Sequence, residues 1–175
     1  MTSKEDFISA ITDDPADKFA KTFVSKANMG NYWEHCLGAW SDDEEELMGA
    51  IIVTISKRKP HVANLQLLHT FAKHRRKGVG KELCKYSLYQ LWWKETAQYM
   101  RVSSEIPARP FYESIGFKFL GVQKSGCFLS MFKITNKNYK YCKYDINDPI
   151  IQKAVFKKGK GGCVEVYDKP KDLFS

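Results

Sequence analysis

The sequence lacks any run approaching the ~18–20 consecutive apolar residues that a membrane-spanning helix requires, so no membrane partner is expected. It opens on the polar, acidic stretch Met1-Thr2-Ser3-Lys4-Glu5-Asp6 with no apolar signal region behind it, and a cytoplasmic location is expected. Cysteine is sparse. Cys36, Cys84, Cys127, Cys142 and Cys163 lie far apart, with no C-x-x-C pair and no metal-ligand spacing, so neither a metal centre nor a disulfide framework is expected. These thiols read as reduced, small, buried apolar groups, and none sits beside a base that would make it a nucleophile. Internal repeats and low-complexity tracts are also missing, which excludes solenoids and arrays.

What the chain does have is an ordinary globular composition, with 43% hydrophobic and 27% charged residues and an aromatic share of 14%. Its 175 residues fit one domain with a sizeable core. The formal charge of +8 is unevenly spread. Ser41-Asp42-Asp43-Glu44-Glu45-Glu46 is acidic, whereas Lys57-Arg58-Lys59, Lys73-His74-Arg75-Arg76-Lys77 and Lys157-Lys158-Gly159-Lys160 are basic. This balance suits anionic ligands, and does not by itself separate a nucleotide cofactor from a nucleic acid.

Periodicity predicts two N-terminal helices. The first, over about Lys4 to Ile11, places Phe7, Ile8 and Ile11 on one side; the second opens after Asp13-Asp14-Pro15, read as an acidic N-cap and first-turn proline. Strands follow over Trp33–Trp40, Leu47–Ile55 and Val62–Phe71, the first two joined by the acidic hairpin loop. The alternation slips at Leu67-Leu68, which suggests a bulge. A long helix from Val79 to Thr96 buries Val79, Leu83, Ser87 and Leu91, widened by Cys84, Leu88 and Trp92. Tyr99–Ser104 is a fourth strand, Pro107–Ile115 a short helix capped by Gly116, and Phe117–Val122 with Cys127–Ile134 a final strand pair. The expected fold is therefore α+β, a mixed, largely antiparallel sheet with flanking helices. Residues 135–175 read as a basic extension packed on the domain formed by 1–134.

The segment Arg75-Arg76-Lys77-Gly78-Val79-Gly80 stands at a strand-to-helix junction. The free N–H groups and positive dipole of a helix N-terminus form a ready anion site. Gly78 and Gly80 clear side chains from a pyrophosphate's path, and Arg75, Arg76 and Lys77 add donors suited to phosphate oxygens. The alternative is a glycine turn with a solvated basic face. A Walker loop is excluded because Arg75 stands where its first glycine must be, and the glycine spacing of the dinucleotide fingerprint is absent.

Leu68-His69-Thr70-Phe71-Ala72-Lys73-His74-Arg75-Arg76-Lys77-Gly78-Val79-Gly80 resembles the central strand and Arg/Gln-x-x-Gly-x-Gly/Ala loop of the GCN5-related N-acetyltransferases. Glu105-Ile106-Pro107-Ala108-Arg109-Pro110-Phe111-Tyr112-Glu113-Ser114-Ile115-Gly116-Phe117 is similar to the family's later block, and the likeness covers roughly residues 33–134. The resemblance implies acetyl-CoA as co-substrate, wedged between splayed central strands. The backbone of Leu68, His69, Thr70 and Phe71 would pair with the pantetheine arm, and Arg75, Arg76, Lys77, Gly78, Val79 and Gly80 would hold the pyrophosphate. Tyr112 would sit near the thioester sulfur as general acid, its alternative being a core ring. The sequence departs from the family at Glu105, which replaces an asparagine, at Ala72, which replaces a proline, and before Trp33, where the usual first strand is not evident.

Candidate bases for the acceptor amine are His69 and Glu105, with Glu34, His35 and the acidic run as further options. The implied activity is transfer of an acetyl group from acetyl-CoA to a primary amine by direct attack, without a metal. The acceptor is an amine of unspecified size, and the chain a monomer or homodimer. Rival readings are acyl transfer onto a polymer, and a non-catalytic acyl-CoA or nucleic-acid binding module. Tyr139, Tyr141 and Tyr144 alternating with Lys137, Lys140 and Lys143 resemble a nucleic-acid stacking strip, but suit a sheet edge better.

Overall fold

Ser3 opens the first helix with a capping box: its hydroxyl accepts from the Asp6 N–H at 3.0 Å, while the Asp6 carboxylate accepts from the Ser3 N–H. The computed structural model describes residues 3–14, 18–26, 29–56, 59–134, 147–158 and 161–166. The Lys/Tyr strip at 137–144, the basic pair Lys57-Arg58 and Pro15 lie outside the described residues. Among the described residues no helix is long and apolar enough to cross a membrane.

The elements are α1 (Lys4–Asp13), α2 (Lys18–Lys26), α3 (Met29–Tyr32), β1 (Cys36–Trp40), β2 (Leu47–Ser56), β3 (Lys59–Thr70), α4 (Val79–Trp93), β4 (Tyr99–Ser104), α5 (Arg109–Ile115), β5 (Lys118–Gln123), β6 (Phe128–Lys133), α6 (Pro149–Val155) and β7 (Cys163–Val166). The seven strands form one sheet in the order β1-β2-β3-β4-β6-β5-β7. β3 and β4 are neighbours in that order and are linked along the chain through α4. The hairpin predicted across the acidic run is present: β1 and β2 are antiparallel, from Cys36 opposite Ile52 to Trp40 opposite Leu47.

The chain divides into two compact units, residues 1–54 with 65–87 and residues 55–64 with 88–175, so β2, β3 and α4 contribute to both. In the first unit, Phe7 and Ile11 of α1, Ala20 and Val24 of α2 and Met29 pack with Ala50, Ile52 and Leu67. In the second, β6 pairs antiparallel with both β4 and β5, and β7 adds antiparallel to β5. There Ile151 and Val155 of α6, both fully buried, pack with Tyr99, Leu120, Leu129 and Met131. Asp148 caps α6 by accepting from the Ile150 N–H, and also accepts from the Tyr99 hydroxyl.

Asp14 closes α1, its N–H donating to the Ile11 carbonyl, while α2 is described over Lys18–Lys26 and Pro15, where the second helix is expected to open, lies outside the described residues. Three expectations need correction. The first strand starts at Cys36, because α3 and a 3-10 turn over Trp33–His35 take the residues before it. No slip disturbs burial along β3: Ala63, Leu65, Leu67 and His69 are buried in unbroken alternation, and Leu68 belongs to the half-buried opposite face. On α4 the predicted stripe from Val79 to Leu91 is buried, but Trp92 is half-buried and Trp93 is 67% exposed.

Candidate cofactor site

In the first unit, the Phe71 N–H at the end of β3 donates to the Met48 carbonyl of β2 at 3.1 Å. Phe71 then caps a 3-10 turn over Ala72–His74, closed by His74 N–H to Phe71 O at 2.8 Å. Arg75 reaches back, its Nε donating to the Thr70 carbonyl at 2.9 Å. Arg76 lies at φ 62° and Gly78 at φ 81°, two left-handed steps that turn the chain into α4. The Gly78 carbonyl accepts the Glu82 N–H at 3.0 Å, so Gly78 is the N-cap and the N–H groups just after it lack intrahelical acceptors. Nothing lies within 4 Å of the point a Gly78 Cβ would occupy. An exposed helix N-terminus, an open glycine and the exposed cations Arg76 and Lys77 fit an anion such as a pyrophosphate.

The basic run does not act as one block. Lys73 Nζ lies 3.0 Å from both carboxylate oxygens of Glu46, and His74 Nε2 lies 3.2 Å from Glu46 Oε1. These neighbours hold the Glu46 carboxyl below its usual range, through hydrogen bonding to Lys73 first and His74 second. The charge facing the loop therefore narrows to Arg75–Lys77. The acidic run, read from the sequence as a solvated hairpin tip, thus supplies a partner to the loop. Opposite charge on two segments was the available signal; their proximity was not.

His69 is enclosed. Its side chain is 0% exposed, Nε2 lies 3.2 Å from Asp14 Oδ2, and its ring meets the Phe71 ring edge-on at 4.8 Å. The imidazole faces the same side as Leu67, in the layer where α1 ends, and shares no surface with solvent from which an amine could approach. Sequence reasoning missed Asp14 as its partner because twelve-residue-scale periodicity says nothing of contacts between a helix end and a distant strand.

The second unit carries Tyr112 and Glu105. Tyr112 is 7% exposed and edge-on to Phe111 at 5.1 Å and Phe117 at 5.4 Å. Its carbonyl accepts the N–H groups of Gly116 and Phe117, with Gly116 left-handed at φ 117°. The Phe-Tyr-x-x-x-Gly-Phe spacing is therefore also a helix-capping pattern, which seats Tyr112 and Phe117 ring against ring. Glu105 is exposed, directly after β4, and precedes the 3-10 turn over Ile106–Ala108. Arg109, unremarked in the sequence, lies 3.8 Å over the Phe119 ring and pairs with Glu113. No cysteine with a resolved shift is poised as a nucleophile: burial pushes Cys36 and Cys163 up to about 11 and Cys84 up to about 12.

The family model for the acetyltransferase (GNAT) domain matches residues 7–135. Among solved structures, the chain is similar to an aminoglycoside 6'-N-acetyltransferase complexed with coenzyme A, at 12% identity and TM-score 0.57, covering 75% of this chain and 92% of that one. It is similar to Tetrahymena GCN5 at 13% identity and TM-score 0.57, covering 81% and 94%. It is also similar to the ribosomal-protein-S18-alanine N-acetyltransferase from Escherichia coli, at 17% identity and TM-score 0.54, covering 82% and 96%. At these identities the likeness is one of fold. No curated protein matches the sequence.

Proposed function

Because the chain belongs to the GNAT acetyltransferase family, we propose that it moves an acetyl group from acetyl-CoA to a primary amine by direct attack of the amine. The observation that carries this reading is the loop at Gly78: left-handed, open, and placed at the N-terminus of a fifteen-residue helix. The coenzyme A complex of a structural neighbour supports the choice of donor. Acetyl-CoA supplies an acyl group already activated as a thioester.

The chain's own residues divide the remaining work. Arg76, Lys77 and the main chain of Gly78, Val79 and Gly80 hold the pyrophosphate, with Arg75 bracing the loop through Thr70. Along β3, alternate residues point their main-chain groups to opposite sides. Phe71 spends its N–H on Met48, so Leu68 presents its main-chain groups away from β2, toward the pantetheine arm, and Thr70 presents its N–H there while its carbonyl is taken by Arg75. The Tyr112 phenol carries the proton that the departing sulfur takes. Of the two candidate bases, exposure favours Glu105, whose carboxylate reaches solvent and can accept a proton from the amine through water. His69 serves instead through Asp14, holding the end of β3.

Calorimetry with CoA tests the donor assignment on Gly78→Asn and Gly78→Asp. Asparagine tolerates a left-handed backbone, so the pair differs by charge alone. The aspartate variant should bind roughly 30-fold or more weaker than the asparagine one, since like-charge juxtaposition costs several kcal/mol. Wild-type affinity in both folded variants would remove the assignment. Incubation with labelled acetyl-CoA and cell extract, resolved by size, then identifies whether the acceptor is small or a polymer.

A further inference from the structure

We infer that Glu46 is a positioning residue for the cofactor loop, fixing the turn that aims Arg76–Gly80. The inference rests on the donor assignment above and extends it to a residue outside the matched motifs. Its basis is a double attachment between two segments of the first unit, residues 46–48 and 71–74.

Glu46 is itself held. Its N–H donates to Ser41 Oγ at 3.1 Å and its carbonyl accepts the Ser41 N–H at 2.9 Å. Ser41 Oγ in turn donates to Asp43, which also accepts the Glu45 N–H at 3.2 Å, and Glu44 adopts a left-handed φ of 59°. The acidic residues at 41–46 are thus tied into a defined turn. Two residues on, Met48 takes the Phe71 N–H, so Glu46 lies alongside Lys73 and His74 with its main chain fixed.

The two partners differ in what they contribute. Lys73 is 72% exposed, and a surface pair of this kind contributes little by itself. The His74 side chain is 8% exposed, with Nε2 facing the carboxylate. A buried polar ring left without that neighbour would have to turn or open the turn around it. Because His74 N–H bonds Phe71 and Arg75 N–H bonds Ala72, movement of the ring carries the turn with it, and the turn directly precedes Arg76 and Gly78.

The test uses the full chain as Glu46→Gln and Lys73→Met, read by CoA calorimetry, by hydrogen exchange at residues 72–80, and by steady-state kinetics. Glu46→Gln should weaken CoA about tenfold, the scale of losing one close charged neighbour of a buried polar group. Exchange at 72–80 should rise, and KM for the donor should change more than kcat. Lys73→Met should leave all three near wild type. Unchanged affinity and exchange in Glu46→Gln would reduce Glu46 to a surface ion pair and overturn the inference. Exchange raised throughout the first unit would also overturn it, since the role would then be general stability. If wild type binds no CoA, the donor assignment fails separately, and a local rise in exchange still supports the positioning role while its absence overturns it.

Discussion

Tyr112 shows how one residue can serve folding and chemistry through different atoms. Its carbonyl ends α5 by capping Gly116 and Phe117, and its ring fills the space between Phe111 and Phe117. Both duties survive removal of the hydroxyl. Tyr112→Phe should therefore keep the fold and CoA affinity while turnover falls roughly 10²–10⁴-fold, the range for a positioned general acid. Unaltered turnover with a good amine would leave Tyr112 as a packing ring. The residues proposed for the site could be picked out at this scale because glycine, arginine and tyrosine at fixed spacing have local reasons to be there. His69 was legible as a titratable residue at a strand end, but not as one shut in with Asp14. A contact spanning residues 14 and 69 leaves no mark in local spacing, and neither does the pairing of Glu46 with His74.

Elements were most legible where a single periodicity governed them. β4 runs from Tyr99 to Ser104, as its apolar pattern predicts, and α5 ends at Gly116 because a left-handed cap needs glycine there. The misreadings fell where local signals competed. Trp33–His35 carry strand-like aromatic character but are taken by a 3-10 turn. β7 was hardest to see, since four residues of Cys163–Val166 form a strand through their partner β5. That pairing depends on Gly121, where a Cβ would stand 2.1 Å from the Glu165 carbonyl oxygen and 3.1 Å from Cys163 Sγ. Gly121→Ala should force β7 away, costing about 1–3 kcal/mol as overpacking does. Calorimetry should register a fall of roughly 2–12 °C in Tm, and hydrogen exchange should rise at residues 163–166. Unchanged exchange there would mean that the strand pair adjusts without separating.

At the scale of the molecule, the question is what the net charge of +8 serves once the cofactor loop has used its share. The expected answer is solubility, because net charge alone informs on solubility and non-specific binding. A direct approach would cut the chain at Ile134 and ask whether binding to nucleic acid is lost, but the structure argues against that design. Ile151 and Val155 are fully buried with Tyr99, Leu120, Leu129 and Met131, so the extension completes the core of the second unit. Uncovering two such side chains costs about 3–6 kcal/mol at roughly 1.5–3 kcal/mol each, against a total stability of about 5–15 kcal/mol. A chain ending at Ile134 should melt roughly 6–24 °C lower, and any binding it lost would report unfolding. Substitution is cleaner: Lys137, Lys140, Lys143 and Lys158 replaced by glutamine in the full chain remove charge and leave the buried residues of α6 in place. Phosphate contacts release counterions, so log affinity should fall by about 0.7–0.9 per contact against log salt. For wild type, titration with single- and double-stranded oligonucleotides should give no measurable affinity at moderate salt, which leaves a small amine or a peptide as acceptor. A slope of two or more contacts that the glutamine variant loses would instead make a nucleic-acid polymer the substrate and the lysines its track.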